Sequence, residues 1–81
     1  MLFITLLSPK GKGREAIGYL KELKAPQGVT VRDVYFTFGR YDGLIVFEAP
    51  DMKTAMNFVM EAGCVTEYSV ETLTAIPAKE L

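Results

Sequence analysis

The stretch VYFTFGRYDGLIVFEAPD, residues 34–51, joins two strand-like segments through a short polar corner. The segment 29–38 is rich in β-branched and aromatic residues that alternate along the chain, and LIVFEA at 44–49 is almost wholly apolar. Both compositions are typical of β-strands, and the five-residue corner between them, which contains two glycines, is typical of a hairpin turn. The stretch therefore predicts a β-hairpin that Pro50 ends, with Asp51 as the N-cap of a helix.

Two further segments on either side of the hairpin predict strands. LFITLL at 2–7 is a short apolar run ended by Ser8 and Pro9, which is typical of a strand buried on both faces. VTEYSVETLTAI at 65–76 alternates, is rich in threonine and is ended by Pro77. The chain therefore has four predicted strands.

Helical spacing of apolar residues predicts two helices. The first, over about 13–24, has an apolar stripe and stops before Pro26 and Gly28. The second begins after Asp51, and Gly63 stands where a left-handed C-cap residue belongs. The first stripe comprises Ala16, Ile17, Leu20 and Leu23, and the second, predicted to be core, comprises Met52, Ala55, Met56, Val59 and Met60.

The resulting order β-α-β-β-α-β predicts an α+β fold, the ferredoxin-like plait. Its right-handed crossovers place both helices on one face of a four-stranded antiparallel sheet. The strands at 2–7 and 44–49 are apolar at consecutive positions, so both sheet faces need to be shielded from water. We therefore expect a second copy of the chain to cover the open face in a homodimer, with higher assembly left open.

Composition bounds the class of protein. At 81 residues the chain is expected to form a single domain, 1–81, and it contains no apolar run near the ~18 residues of a membrane span. The first residues lack the basic leader and cleavage pattern of a signal peptide, and the one cysteine, Cys64, suits a reducing compartment, so we expect a cytoplasmic protein. With no histidine and one cysteine, no metal or cofactor is expected.

Charge is unevenly distributed. The net charge of −1 gives no general attraction to nucleic acid or to membranes, yet residues 1–28 carry +3 and residues 29–81 carry −4. Lys10, Lys12 and Arg14 stand at the start of the first predicted helix, where the helix dipole favours negative charge. These three cations are a candidate anion site, and the alternative is a solvated basic loop.

The corner Gly39, Arg40, Tyr41, Asp42 and Gly43 has two interpretations. In the structural one, the glycines supply positive φ, Asp42 bonds nearby backbone N–H groups and Tyr41 lies over the hairpin edge. In the functional one, Arg40 and Tyr41 present a guanidinium and a hydroxyl at a crevice between subunits, where they can hold a carboxylate. The glycines and the aspartate fit the structural interpretation, so Arg40 and Tyr41 are the candidate ligand contacts.

The hairpin, the EAPD helix start at 48–51 and the final strand together resemble the GYD domain family, named for a Gly-x-Tyr-Asp hairpin that is here Gly39 to Asp42. The resemblance covers residues 31–76, whereas SPKGKGREAIGYLKEL at 8–23 looks shorter than the family's usual loop and helix. It implies a ferredoxin-like fold that pairs into a dimeric α+β barrel.

A wider similarity, to the ligand-sensing domain of leucine-responsive regulators, implies a dimeric module that binds a small effector near subunit interfaces.

Two other functions stay open. A cofactor-free oxygenase or isomerase is the first, although no carboxylate among Asp33, Asp42 and Glu48 is paired with a nucleophile and no catalytic residue is assigned. RNA binding is the second, and there Asp42 would repel phosphate where a base should stack. Cys64 is expected to be a small buried residue or an inert loop thiol.

Overall fold

The structure, a computed structural model, describes residues 1–8, 18–66 and 69–81, with side chains 63–66 outside that description. Its strands are β1 (Leu2–Ser8), β2 (Thr30–Phe36), β3 (Gly43–Glu48) and β4 (Ser69–Ala75). Residues 18–21 are helical and are labelled α1, and the long helix α2 spans Met52–Thr66. A single 3₁₀ turn, Ala78–Glu80, follows β4.

The four strands form one antiparallel sheet in the order β2-β3-β1-β4. The two hairpin strands are neighbours, and β1 lies between β3 and β4. This order, with helical segments after β1 and after β3, confirms the ferredoxin-like α+β fold predicted from the sequence.

The core lies between the sheet and its helices. On this helix-covered face the β1 residues Phe3, Thr5 and Leu7 are buried and stand opposite Phe47, Ile45 and Gly43 of β3. The Phe3 and Phe47 rings stack with centroids 5.4 Å apart, and Phe58 of α2 meets Phe47 edge-on at 4.9 Å. Aromatic pairs of this geometry add to the stabilisation that comes from burial, so they fix α2 against the centre of the sheet.

The start of α2 is as predicted, because the Thr54 N–H donates to the Asp51 carboxylate over 2.8 Å. The predicted core stripe is wrong in part. Met52, Met56 and Met60 are 50%, 55% and 62% exposed, whereas Ala55 and Val59 are buried. The buried face is rotated toward Phe58 and Ala62, because the methionine side of the helix overhangs β4, the last strand of the sheet.

Three predicted boundaries are also corrected. Gly63 does not end α2, since the helix continues to Thr66. Cys64 therefore lies in the helix and not in a loop. The last strand accordingly begins at Ser69, and not at residue 65. The first helix ends at residue 21, earlier than residue 24, and its predicted start and Ala16 and Ile17 lie outside the described residues.

The other side of the sheet, here called the open face, carries no helix in the described part of the chain. Its centre is apolar and half-buried, and the exposed Tyr35 and Leu73 extend it onto the edge strands. Arg32 pairs with Glu48 at one end of it. The central side chains are Leu2, Ile4, Leu6, Leu44 and Val46. Among the described residues, no helix combines the length and apolar character needed to cross a membrane.

Candidate functional site

The hairpin loop that follows β2 is held by its own hydrogen bonds. The Thr37 N–H donates to the Asp42 carbonyl over 3.0 Å, and the Thr37 hydroxyl donates to the Tyr41 carbonyl over 2.6 Å. Gly39 has φ of +123°, a conformation that residues with a Cβ rarely adopt. The loop is also tied to β1, because the Asp42 N–H donates to the Leu7 carbonyl over 2.8 Å. These bonds set the positions of Arg40 and Tyr41.

Two details of the structural interpretation are wrong. Gly43 does not supply positive φ; it is the first residue of β3, and a Cβ there would lie 3.1 Å from methyl carbons of Leu7 and Leu20. Gly43 therefore avoids a tight contact beneath α1, since the Leu7 and Leu20 methyl groups would have to shift by a few tenths of an ångström to admit a Cβ. Asp42 does not form the expected side-chain turn either, because its hydrogen bonds within the described chain are made by its backbone.

Tyr41 reaches from the hairpin to the far strand of the sheet. Its hydroxyl donates to Oε2 of Glu71 in β4 over 2.6 Å. Glu71 stands opposite Leu6 on the open face, and β1 lies between the hairpin and β4. The Tyr41 side chain therefore crosses the end of β1, at the hairpin end of the open face.

The Glu71 carboxylate changes the acidity of the phenol. Because it accepts the hydrogen bond of the protonated hydroxyl, it raises the pKa of Tyr41 above the usual value, and desolvation adds to this while the positive charge of Arg40 opposes it. Tyr41 is thus a neutral donor at physiological pH. Its hydroxyl orients Glu71 instead of pointing freely into solvent.

Arg40 is the cation of the site. Its guanidinium carbon lies 5.5 Å from the centroid of the Tyr41 ring, within the range of a cation–π contact, and its carbonyl accepts from the Ser8 hydroxyl over 3.3 Å. Within the described part of the chain the guanidinium pairs with no carboxylate, unlike that of Arg32. The site thus offers an unpaired guanidinium on one side of a phenol ring and a carboxylate at the other.

The structure places Arg40 against the ring of Tyr41 and joins Tyr41 to Glu71, a residue that no sequence pattern singled out, while the role of Arg40 and Tyr41 as ligand contacts stays a prediction. Glu71 lies between Val70 and Thr72 in β4, and only the sheet order shows that it stands near the hairpin. Lys10, Lys12 and Arg14 lie outside the described residues, so the candidate anion site remains a prediction. Across residues 1–8, 18–66 and 69–81, no cluster of three carboxylate, thiol or imidazole groups could hold a metal.

Comparison with known protein families shows that the profile of the GYD domain fits residues 6–81. The match extends further toward the N-terminus than the resemblance recognised over residues 31–76. None of the curated proteins is detectably similar in sequence.

Solved structures with the same fold include a hypothetical protein, PHS023, from Pyrococcus horikoshii. It is 25% identical with a TM-score of 0.65, covering 95% of this chain and 92% of that one. FFRP-DM1 is also 25% identical, with a TM-score of 0.63 and coverage of 93% and 96%. PH0061, at 19% identity and a TM-score of 0.65, is similar in fold alone, and the match takes in 95% of this chain and 53% of PH0061.

Proposed function

The chain belongs to the GYD domain family, and we propose that it is a dimeric module that binds a small molecule and has a regulatory role. The structural similarity to FFRP-DM1 over nearly the full length of both chains supports a ligand-sensing type of domain. The proposal further places the protein in the cytoplasm and assigns it neither a catalytic residue nor a cofactor.

The observation that carries the proposal is the guanidinium of Arg40, which lies against a tyrosine whose hydroxyl is already engaged and pairs with no carboxylate among residues 1–8, 18–66 and 69–81. Glu71 holds the phenol in place, so the ring forms a fixed platform beneath the cation. A guanidinium presents paired N–H donors that match a carboxylate. We therefore propose a ligand that carries a carboxylate, bound by Arg40 and seated against Tyr41.

The second part of the proposal is a homodimer formed through the open face. The centre of this face is a continuous group of leucine, isoleucine and valine side chains on β1 and β3. Apolar surface of this extent in a small domain is typical of an interaction site. Because the Tyr41–Glu71 pair lies at the end of the same face, a partner subunit would wall the site on one side.

A thermal-shift experiment with small carboxylic acids and amino acids tests the ligand. A ligand at about ten times its dissociation constant stabilises the folded state by about 1.4 kcal/mol, which corresponds to a rise in Tm of ~6–11 °C for a domain of this size. Arg40→Gln should abolish the shift. The matched control is Arg32→Gln, which removes a cation at the opposite end of the open face and should leave the shift intact.

If no small acid raises the Tm of the wild type, or if both variants respond equally, Arg40 is not the ligand contact. The dimer is tested separately by Val46→Lys, which places a charge in the centre of the open face beside Asp33 and Glu48. This variant should weaken dimerisation in sedimentation experiments while keeping the far-UV spectrum of the wild type. An unchanged mass would remove the open face as the interface.

A further inference from the structure

An apolar cleft lies on the helix-covered side of the sheet, between α2 and β4, and holds about 340 Å³. This volume is at the lower end of the range of small-molecule sites, and it is more than twice the ~150 Å³ of a cavity that binds benzene. The α2–β4 cleft is on the other side of the sheet from the open face, because the β4 residues that line it stand opposite the buried Phe3 and Thr5 of β1. It is lined chiefly by Phe3, Met52, Met56, Met60, Thr72 and Thr74.

The two walls of the cleft differ in rigidity. The inner wall includes Phe3 and Ala55, which are buried in the core and fixed by its packing. The outer wall is formed by the exposed Met52, Met56 and Met60, whose unbranched thioether side chains adapt to irregular shapes. Contiguous apolar side chains that stay exposed on one surface are a feature of binding sites.

The cleft also has a defined polarity. Of the described residues that line it, none is charged. A charged ligand would lose its hydration there and gain no opposite charge in return, which is unfavourable. The cleft therefore selects a neutral ligand.

A pair of threonines supplies one polar point. The hydroxyl oxygens of Thr5 and Thr72 are 2.9 Å apart, and Thr5 is 1% exposed with no other hydroxyl partner in the described part of the chain. A buried hydroxyl hydrogen without an acceptor is costly, so Thr5 donates and Thr72 accepts. The hydrogen of the exposed Thr72 hydroxyl then has no acceptor within residues 1–8, 18–66 and 69–81. It is a donor available to a molecule in the cleft.

We propose that the α2–β4 cleft binds a neutral, mainly apolar small molecule that carries one hydrogen-bond acceptor, such as a ketone or an ester. The acceptor oxygen takes the hydrogen of Thr72, and the apolar body lies between Phe3 and the three methionines. This ligand differs in chemistry from the carboxylate proposed for Arg40, and its site lies on the other side of the sheet. The two sites can therefore be occupied and tested independently.

Three compounds of nearly equal size separate the parts of the proposal. 2-Acetylnaphthalene has an apolar body and a ketone, 2-isopropenylnaphthalene has the same shape without the acceptor, and 2-naphthoate carries a charge. The ketone should bind roughly fivefold more tightly than the alkene, which is the effect of one net hydrogen bond. The naphthoate should not enter the cleft.

NMR of ¹³C-labelled methionine methyl groups locates the binding. The chain has four methionines, of which Met1 lies outside the cleft. The methyl signals of Met52, Met56 and Met60 should shift when the ketone is added, while that of Met1 should not. Arg40→Gln should leave these shifts unchanged, so failure of the Arg40 site would not affect this result.

Two sets of variants assign the contacts. Thr5→Val combined with Thr72→Val keeps the shape of both side chains and removes both hydroxyls, which leaves no buried donor unpaired. This double variant should fold and should bind the ketone and the alkene equally. Met56→Gln should weaken the binding of both compounds, whereas its control Asn57→Gln, at an exposed position of α2 outside the cleft, should bind like the wild type.

Several results would overturn the proposal. Methyl signals of the cleft that do not shift with either neutral compound, or that shift no more than that of Met1, would remove the site. Equal affinities for ketone and alkene in the wild type, or a ketone preference that survives in the double threonine variant, would remove Thr72 as the donor. Naphthoate that shifts the three cleft methionines as strongly as the ketone does would refute the selection of a neutral ligand.

Discussion

Truncation of two phenylalanines in the hairpin region should change the free energy of unfolding by very different amounts. Phe47 has no exposed surface and contacts both the Phe3 and the Phe58 rings, whereas Phe38, in the hairpin loop, is 106% exposed. Truncating a buried phenylalanine to alanine costs about 3–5 kcal/mol. Truncating an exposed one changes stability by about 0.5 kcal/mol or less.

The expected loss is large relative to the whole domain. A chain of 81 residues has a free energy of unfolding of about 4–12 kcal/mol. Phe47→Ala should therefore leave a protein that is at best marginally folded, and Phe38→Ala one that unfolds like the wild type. Phe47→Leu keeps most of the buried volume and should lie between them.

Urea denaturation followed by circular dichroism measures all three variants. The protein concentration must be fixed, because association adds to apparent stability. The free energy of unfolding could fall by less than about 1 kcal/mol in Phe47→Ala, or by as much in Phe38→Ala as in Phe47→Ala. Either result would mean that the helix-covered face has been assigned to the wrong side of the sheet. The open face would then be wrongly assigned as well.

Two predictions concern titration. Glu71→Gln should lower the pKa of Tyr41 toward its ordinary value, since the raised pKa is caused chiefly by the hydrogen bond to that carboxylate. NMR titration of the Tyr41 ring measures this pKa. Glu48→Gln is the control and should leave the pKa of Tyr41 unchanged. Because the folded pKa is raised, the stability that Glu71 confers should persist through neutral pH and be lost as pH rises through the tyrosine titration. Asp51 has a lowered pKa, caused chiefly by the Thr54 backbone N–H, so its stabilisation is present above the ordinary carboxyl range and lost as pH falls. Asp51→Asn should therefore be less stable than the wild type at neutral pH, with a gap in thermal unfolding that closes in acid; a constant gap would contradict the role of the charge.

The fold was predictable from the sequence because its signals are local. Strand alternation, the glycine-containing corner and the Asp51 cap each depend on a few neighbouring residues, and together they give the order of elements. The end of α2 was not predictable in this way. Gly63 is tolerated inside a helix when neighbouring turns continue, so the glycine by itself did not mark the boundary.

The site was predictable only in part, for a related reason. Arg40 and Tyr41 belong to one loop, and their proximity is fixed by adjacency in the chain. Glu71 joins them through a sheet order that places β4 beside β1, a contact between residues 30 positions apart. The role of Gly43 likewise depends on Leu7 and Leu20, which meet it only in the folded chain.

The methionines of α2 show what helical periodicity can and cannot decide. At about 100° per residue, the buried residues Ala55, Phe58, Val59 and Ala62 span about 100° of the helix, and Met52, Met56 and Met60 extend the apolar arc by about 100° more. Periodicity measures the width of that arc but not what lies against each part of it. A single sheet covers the first part and ends at β4, directly beneath the second. The methionines therefore stay exposed although their spacing matches that of the buried residues, because the sheet ends before it can cover their part of the arc.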